Sequence, residues 1–399
     1  MTTPLATDDR TTDASGSRSL DTFAETKLDA LERRDRRRRP VATERADGVH
    51  VVRAGRRMRS FSCNDYLGLS FHPEVRAAAA RAIARYGTTS GGSYLVTGNH
   101  PLYERFEAEL AAFKGTPAVC IFGSGYLANA GLLPALAGPG DAVFVDALAH
   151  SCLWFGARAS GAAVVPFAHN DVEALAAALA ASRARYRHTI LATDGVFSMD
   201  GDLAPLGALS ALANRYDAWL LCDDAHGLGT LAEGRGAVAL AGAVDVPLQM
   251  GTLSKALGSY GGYVAASDAV VALLKNRART FVYSTALPPA TIAAASAALA
   301  IVRRDAELTR RPLARARRFA ARLGLSEAAS AIVPIHVGGD AAALAASQRL
   351  AEAGFLVVAI RPPTVPEGTA RLRVAFTALH TDDDVDALAA AVTALRLAP

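Results

Sequence analysis

The segment that most constrains the fold reads DAWLLCDDAHG and spans residues 217–227. In it, an apolar run of strand length ends in two carboxylates, Asp223 and Asp224, which are followed by His226 and a glycine. Ligands of α/β sheets bind beyond the carboxyl ends of the strands. We therefore predict a strand here with a ligand site at its end. The alternative is an aspartate pair that caps the next turn, beside a loop histidine with its hydrogen bonds satisfied.

The sequence on both sides alternates between strand-like and helix-like runs. Such alternation is typical of a mostly parallel sheet with helices on its faces. From about residue 291 the pattern changes to a long helix and then a mixture of strands and helices, which predicts a smaller α+β lobe. The predicted strands are 117–122, 142–145, 163–167, 188–193, 218–223, 248–250 and 262–266 in the first part, and 331–337, 356–360 and 371–376 in the second.

A chain of 399 residues is too long for one compact core, so we expect several units. The predicted division is a disordered tail at 1–20, an N-terminal segment at 21–63, a large domain at 64–290 and a small C-terminal domain at 291–399. The tail is rich in Thr, Ser, Asp and Gly, and it lacks the apolar centre of a signal peptide.

Lysine is scarce in this chain: only 4 of the 42 basic residues are lysine. One of them, Lys255, lies in the segment GTLSKALG at 251–258. Arginine supplies positive charge at least as well. Only the lysine amine, however, can lose its proton and form a Schiff base with an aldehyde. Lys255 is therefore a candidate catalytic residue, and the alternative is a surface lysine in a turn.

Other segments complete a possible cofactor site. Asp223 could pair with the protonated ring nitrogen that pyridoxal phosphate needs as its electron sink, and His226 could bind the phenolic oxygen. The glycine turn 123–125 precedes a predicted helix, and such a turn can bind phosphate through its backbone amides. A lone turn of this kind is more often a tight connection. His150, after another strand, could stack on the cofactor ring.

Together these segments resemble the α-oxoamine synthase family of pyridoxal-phosphate enzymes. The resemblance implies a fold-type I aminotransferase architecture and a homodimer with active sites at the subunit interface. It also implies a reaction in which an amino acid condenses with an acyl thioester and loses its carboxylate. The last matching stretch favours the branch that uses L-alanine. The stretches are NDYLGL (64–69), TGNHPL (97–102), FGSGY (122–126), DGVFSMDGD (194–202), DDAHG (223–227), TLSK (252–255), STALPP (284–289) and RPPTVP (361–366) continuing to ARLR (370–373).

The resemblance also implies a role for each site residue. Lys255 would hold the cofactor and move the Cα proton, Asp223 would pair with the pyridine nitrogen, and His150 would stack on the ring. Ser198 and His226 would hold the phenolic oxygen. The implied phosphate ligands are Gly125, Tyr126 and Thr252, with Ser284 or Thr285 from the second subunit.

For the substrates, the resemblance implies that Arg373 clamps the amino-acid carboxylate, a task for which a guanidinium is suited. Asn64 would lie nearby, Arg36 would bind substrate, and Thr364 would contact the acyl substrate, which is carried by coenzyme A or a carrier protein. Two simpler readings remain. Arg373 could lie with Arg371 on an exposed strand face, and Asn64 could belong to a turn.

Composition excludes several other functions. The net charge of +4 suits anionic substrates, and the basic run from Arg33 to Arg39 has no interleaved aromatic residues, so we expect no nucleic-acid partner. That run could also be a solvated helix end. The four cysteines are scattered, which favours a cytoplasmic protein with reduced thiols and no metal site. The alanine-rich run 286–302 contains two prolines and is shorter than a membrane span.

Three alternatives to the preferred function remain open. Other members of the family, such as 5-aminolevulinate synthase, glycine C-acetyltransferase or a serine-using synthase, would share every cofactor residue. A plain aminotransferase would also use the lysine and the aspartate. A non-catalytic partner subunit would be expected to lack the lysine, and Lys255 is present.

Overall fold

The computed structural model describes residues 19–396. Residues 1–18 of the predicted tail lie outside the described residues, whereas Ser19 and Leu20 begin the first helix. The strands are β1 (Thr43–Arg45), β2 (His50–Arg53), β3 (Arg56–Ser60), β4 (Ala118–Phe122), β5 (Ala142–Asp146), β6 (Ala163–Phe167), β7 (Thr189–Asp194), β8 (Trp219–Asp223), β9 (Leu248–Thr252), β10 (Gly262–Ala266), β11 (Ile332–Gly338), β12 (Phe355–Leu356), β13 (Val358–Ile360) and β14 (Ala370–Ala375).

Fourteen α-helices alternate with and follow these strands in the described residues. They are α1 (Ser19–Glu32), α2 (Pro73–Tyr86), α3 (Pro101–Lys114), α4 (Gly125–Leu136), α5 (Ser151–Ala159), α6 (Val172–Ser182), α7 (Leu206–Arg215), α8 (Ala237–Leu240), α9 (Asp268–Arg277), α10 (Arg279–Val282), α11 (Pro289–Arg304), α12 (Ala306–Arg322), α13 (Asp340–Glu352) and α14 (Asp382–Ala394). Across residues 19–396, no helix combines the length and the apolar character needed to cross a membrane.

The main sheet has seven strands in the order β4-β10-β9-β8-β7-β5-β6. The pairs from β9 to β6 are parallel, and β10 runs antiparallel to both of its neighbours. The inner strands β5 and β7 are buried along their whole length, which explains their largely apolar sequences. The prediction of a mostly parallel α/β sheet is confirmed. The carboxyl ends of β5, β7, β8 and β9 therefore meet at one edge, where Asp146, Asp194, Asp223 and Thr252 are the last strand residues.

Two smaller sheets lie outside this one. One has the order β11-β14-β13, and the other has the order β1-β2-β3-β12. In the second, β12 runs parallel to β3, so the N-terminal strands are completed by a strand from near the other end of the chain. The side chain of Phe61, just after β3, is fully buried in a hydrophobic cluster with Phe319, Phe355 and Phe376.

Two predicted elements are wrong in detail. The single strand expected at 356–360 is two strands in different sheets. Residues 355–356 pair with β3, whereas residues 358–360 pair with β14. The long helix expected after residue 291 is interrupted at Asp305, whose side chain accepts a hydrogen bond from the Leu308 amide and begins a new helix. The predicted domain boundaries at 64 and 291 stay predictions.

Candidate active site

Two buried carboxylates face each other at the carboxyl edge of the sheet. Asp194 ends β7 and Asp223 ends β8, and the two residues are paired in register. Burial, together with the nearby Asp223 carboxylate, raises the pKa of Asp194 well above its ordinary value. Asp194 also accepts a hydrogen bond from the backbone amide of His150 at 3.1 Å. Asp194 therefore positions the His150 loop, and sequence reasoning did not select it.

Asp223 is held by neutral donors. Its Oδ2 accepts a hydrogen bond from the Asn129 side-chain amide at 2.8 Å, and its Oδ1 accepts one from the Ala225 amide at 3.1 Å. Asn129 lies on α4, the helix that follows the glycine turn. Because it is 94 residues from Asp223 in sequence, no local pattern indicates this contact. No cation neutralises Asp223 directly among residues 19–396, so its charge stays available for a ligand.

Asp224 has a different environment, although it is the next residue. It forms a buried ion pair with Lys114 at 2.9 Å, in which the two side chains are 0% and 1% exposed. Its other oxygen accepts a hydrogen bond from the Ala237 amide at 2.9 Å. Asp224 is thus neutralised inside the protein, whereas Asp223 points toward the site.

Lys255 follows β9 and brings its amine to the same edge. Its Nζ lies 2.7 Å from His226 Nε2. Burial lowers the pKa of the Lys255 amine to about 8, against the attraction of Asp223 and with a further lowering from Arg373. Burial and the adjacent Lys255 also lower the pKa of His226 well below its ordinary value, so His226 is neutral at pH 7. A lysine that loses its proton near neutral pH is suited to nucleophilic and proton-transfer chemistry.

A chain of hydrogen bonds connects Lys255 to Arg373. His226 Nδ1 lies 2.7 Å from the Tyr66 hydroxyl, which accepts a hydrogen bond from Arg373 Nη2 at 3.3 Å. Arg373 Nη1 donates to Asn64 Oδ1 at 3.1 Å. Sequence reasoning missed Tyr66, although it follows Asn64 and Asp65 in a stretch that resembles the family, because nothing in that stretch distinguishes a site hydroxyl from a core ring.

Arg373 is buried, which excludes the alternative of an exposed strand face. Its side chain is 6% exposed, and that of Arg371 is 3% exposed. Arg371 forms an ion pair with Asp200, whereas Arg373 donates to the Ser198 carbonyl at 2.5 Å through its Nε. With the bonds to Asn64 and Tyr66, Arg373 uses three of its five N–H groups, and two remain for a ligand.

The N-terminus of α4 offers donors to an anion. The Ser124 side chain accepts from the Leu127 amide at 3.1 Å. Within the described part of the chain, the Gly125 and Tyr126 amides have no acceptor. A Cβ on Gly125 would lie 3.5 Å from the Cβ of Thr252, so the two predicted phosphate ligands are neighbours. The Thr252 hydroxyl lies 2.8 Å from the Ser254 hydroxyl.

A cavity of about 800 Å³ opens beside these groups. His150, which is exposed, and Ser198 line it close to the sheet edge, and Thr364 lines its far side. Most of the remaining wall is apolar, which suits an acyl chain. The apolar residues that line it include Trp154, Phe155, Phe197, Met199, Pro363 and Val365.

Three predicted residues are not joined to this cluster. Arg36 is held by Asp340 at 3.0 Å and by Glu367 at 2.8 Å, whereas the arginine that contacts Thr364 is Arg38, whose Nη2 donates to the hydroxyl at 2.9 Å. Thr285 pairs with Ser93, and within residues 19–396 neither it nor Ser284 contacts the Lys255 cluster. The roles of Arg36, Ser284 and Thr285 stay predictions.

The chain is similar to known proteins along most of its length. The family model described as aminotransferase class I and II matches residues 56–392. An 8-amino-7-oxononanoate synthase from Methylocella silvestris is 61% identical over 86% of this chain and 98% of its own length. Another from Methylobacterium nodulans is 58% identical over 96% of this chain and 99% of its own.

A solved structure has the same fold. A serine palmitoyltransferase variant from S. paucimobilis, solved with bound pyridoxal phosphate and myriocin, superposes with a TM-score of 0.88. It is 27% identical, and the match covers 96% of this chain and all of that one. The likeness therefore extends over the whole described fold and includes a protein that holds pyridoxal phosphate.

Proposed function

Because the chain belongs to the α-oxoamine synthase family of pyridoxal-phosphate enzymes, we propose that it condenses L-alanine with a pimeloyl thioester. The products would be 8-amino-7-oxononanoate, carbon dioxide and the free thiol of coenzyme A or of a carrier protein. The two relatives are named 8-amino-7-oxononanoate synthases, and we propose that this chain makes the same product, in the biotin pathway. The observation that supports it most is the hydrogen-bonded Lys255–His226–Tyr66–Arg373 network next to Asp223 and near a largely apolar cavity.

The residues at the sheet edge fit pyridoxal phosphate. Lys255 supplies the amine for its aldehyde, Asp223 a carboxylate for its ring nitrogen, and the N-terminus of α4 free amides for its phosphate. His226 and Ser198 would hold its phenolic oxygen, and His150 would cover the ring. When bound, this cofactor draws electrons from the amino-acid Cα, which acidifies the Cα–H bond and supports the loss of carbon dioxide.

In this proposal Lys255 moves the Cα proton. Its lowered pKa leaves an appreciable neutral fraction of the amine at neutral pH, and the neutral amine is the form that accepts a proton. His226, 2.7 Å away and itself neutral, holds the amine in place without repelling its protonated form. The lysine can therefore accept the proton and later return it.

Arg373 would bind the alanine carboxylate through its two unused N–H groups. A guanidinium offers paired donors that match the two oxygens of a carboxylate. Because its other donors are fixed by Ser198, Asn64 and Tyr66, the guanidinium is held in one orientation before the substrate arrives. A fixed clamp orients both the Cα–H bond and the carboxylate that later leaves.

The acyl thioester would occupy the 800 Å³ cavity between His150 and Thr364, whose apolar walls suit a hydrocarbon chain. We propose that the enzyme is a homodimer in which Ser284 or Thr285 of the second subunit completes the phosphate site. We also propose a cytoplasmic location, which is supported by four cysteines that are all unpaired.

A serine-using synthase is the second candidate, because the whole fold superposes on a serine palmitoyltransferase. Glycine-using members share the same cofactor residues. A panel of glycine, alanine and serine against acyl thioesters of different length, followed by free-thiol release and product mass, tests the proposal. Alanine with a pimeloyl thioester should give the highest kcat/KM. A higher value for serine with a long acyl chain would overturn the proposed substrates.

A further inference from the structure

A histidine that the proposed reaction does not use lies between two aspartates near the main cavity. His169 follows β6, and its Nδ1 lies 3.0 Å from Asp146 Oδ1 and its Nε2 lies 2.8 Å from Asp202 Oδ2. Asp146 ends β5 and is 1% exposed, whereas Asp202 lies in the segment after β7. We call these three residues the histidine bridge. It connects the segments that follow three neighbouring strands of the main sheet.

The geometry of the histidine bridge requires a protonated His169. An ionised carboxylate only accepts hydrogen bonds, and a neutral imidazole donates from one of its two nitrogens. Both nitrogens of His169 face carboxylate oxygens, so both must carry a proton. Burial by itself would lower the pKa of His169, but the hydrogen bonds to Asp146 and Asp202 outweigh it and raise the pKa to about 10. The bridge is therefore charged at neutral pH, and charge-assisted hydrogen bonds are the stronger kind.

Asn170 reinforces the same link. Its backbone amide donates to Asp146 Oδ2 at 2.9 Å, and its side-chain amide donates to Asp202 Oδ2 at 2.8 Å. It adopts a left-handed backbone conformation with a φ of 55°, which asparagine tolerates better than most residues. Two adjacent residues thus bind the same two carboxylates, so four hydrogen bonds fix the separation of Asp146 from Asp202.

Each aspartate of the bridge belongs to a loop of the candidate site. Asp146 Oδ1 accepts a hydrogen bond from the Leu148 amide at 2.8 Å, within residues 147–150, which we define as the His150 loop. Asp202 ends residues 195–202, which we define as the Ser198 loop. The histidine bridge therefore sets the distance between the two loops.

Both loops line the cavity of about 800 Å³, whereas His169 is not part of its wall. The His169 ring packs against Phe197 of the Ser198 loop, with 4.3 Å between the ring centroids and 87° between the ring planes. The Phe197 amide in turn donates to the Asp202 carbonyl at 3.0 Å. His169 thus supports the cavity wall from behind and would not itself contact a ligand in the cavity.

The position of the Ser198 loop also affects the arginines of β14. The Ser198 carbonyl accepts a hydrogen bond from Arg373 Nε at 2.5 Å, and Asp200 forms an ion pair with Arg371. A shift of this loop would therefore move the proposed carboxylate clamp together with Ser198. A shift of the other loop would move His150, which is proposed to cover the cofactor ring.

We propose that His169 is a positioning residue whose imidazolium fixes the His150 loop and the Ser198 loop relative to each other before cofactor and substrate bind. The proposal rests on the proposed function, because the groups that it positions are those assigned to the cofactor and to the alanine carboxylate. Loops hold functional groups less precisely than strands do, unless further hydrogen bonds lock them. The histidine bridge supplies such bonds at the point where both loops leave the sheet.

The first test uses the protein without cofactor. Hydrogen–deuterium exchange, read by peptide mass, measures how often the backbone of each loop opens. In His169→Gln, exchange in both loops should become about tenfold faster or more, because a neutral side chain does not replace two charge-assisted hydrogen bonds. Asp202→Ala should give the same result, and it removes a side chain that is 39% exposed, with less risk to folding. Unchanged exchange in the loops of both variants would overturn the proposal.

Arg187→Gln is the matched control. Arg187 donates to the two oxygens of Asp141 at 3.0 and 2.9 Å, and Asp141 is 3% exposed. The pair joins the residues just before β5 to those just before β7, so it is a similar contact at the opposite edge of the same strands. The control should leave exchange in the two loops as in the wild type. Equally fast exchange in the control would show a general loss of stability and refute the positioning role.

The second test measures alanine binding to the pyridoxal-phosphate-loaded protein, from the spectral change of the cofactor. In His169→Gln and in Asp202→Ala, the Kd for alanine should rise about tenfold or more, because a displaced clamp binds its carboxylate less well. The double variant should bind alanine no worse than the weaker single variant, since both changes break one bridge. An unchanged Kd, or losses that add in the double variant, would refute the histidine bridge.

The two proposals fail separately, because exchange in the cofactor-free protein does not depend on the reaction. Faster exchange in His169→Gln, beside a wild type that releases no thiol from any acyl thioester, would support the bridge and refute the proposed reaction. A wild type that condenses alanine with a thioester, beside a His169→Gln variant with unchanged exchange and alanine affinity, would refute the bridge and support the reaction.

Discussion

Asp223 and Asp224 are neighbours in sequence with the same side chain, yet they belong to two different parts of the molecule. Asp223 is held by amides and faces the edge where Lys255 lies. Asp224 is fully buried against Lys114 and is neutralised there. Each aspartate is thus associated with one of the four lysines of the chain. A buried carboxylate therefore remains chemically available only when neutral donors, and no internal cation, hold it.

The largest expected effect is the loss of turnover in Lys255→Ala, because the amine both holds the cofactor and moves the Cα proton. The fold should persist, since the half-buried Lys255 has no ion-pair partner among residues 19–396. Activity assays and thermal unfolding measure the two outcomes. In the wild type, borohydride reduction followed by peptide mass analysis should place pyridoxal phosphate on the peptide that contains Lys255. Label on Lys114 or Lys275 would contradict the assignment.

The second prediction concerns Asp224 and its contribution to the stability of the fold. Asp224→Asn should lower the free energy of unfolding by about 3–5 kcal/mol, because it leaves the Lys114 charge buried without its partner. Urea denaturation measures this loss. The matched change Asp223→Asn removes no internal ion pair and should leave the unfolding curve close to that of the wild type. Similar curves for the two variants would remove the distinction between the aspartates.

The third prediction is that, for catalysis, Asp223→Asn is the more damaging of the two aspartate variants. Asp223→Asn should lower kcat/KM by about 3–4 kcal/mol of transition-state stabilisation, since the carboxylate that keeps the cofactor ring protonated is lost. Asp224→Asn, assayed on its folded fraction, should lose far less. The ion pair with Lys114 assigns Asp224 a structural role, so stability and activity must be measured separately.

A smaller effect is expected for Arg373→Lys. An ammonium cannot make the paired bonds of a guanidinium, so the apparent affinity for alanine should fall by about 1.5–3 kcal/mol. Condensation should slow as well, while pyridoxal phosphate still binds. The measurement is the spectral change of the bound cofactor as alanine is added. Normal alanine affinity with normal turnover would remove Arg373 from the site.

The smallest effect is a pH dependence. Lys255 has a pKa of about 8, below its ordinary value, so its amine is mostly protonated below pH 8 and mostly neutral above it. Only the neutral amine attacks an aldehyde. The rate at which cofactor-free protein takes up pyridoxal phosphate should therefore fall by about tenfold per pH unit below pH 8 and level off above it. A rate that is flat between pH 6.5 and 8 would contradict the lowered pKa.

The sequence predicted the central sheet well, because its strands are buried on both faces and read as continuous apolar runs. Most of the predicted ends lie within two residues of those observed. The strands β1 to β3 were not predicted. They are short and rich in arginine, and their order depends on β12, some 300 residues away, as the bond from Val358 to Ser62 shows at a separation of 296 residues.

Part of the site was predictable because some of its residues lie in segments with a recognisable local pattern. Lys255, Asp223 and His226 lie in segments whose local pattern indicates chemistry, and the structure brings them together. Tyr66 and Asn129 could not be selected, because their importance depends on partners 160 and 94 residues away. The pairing of Arg36 and the burial of Arg373 likewise depend on distant segments.

The parallel pairing of β3 with β12 has a consequence for how the chain is made. During synthesis, β1 to β3 and Phe61 leave the ribosome long before Phe355 and Phe376 exist to cover them. At about 5–20 residues per second, the exposed interval is roughly 15–60 s. Nascent chains stalled before residue 355 should bind a holdase chaperone through the N-terminal strands, and full-length chains freed from the ribosome should release it. The N-terminal strands can thus reach their final packing only late in synthesis, when β12 and the phenylalanines near it become available.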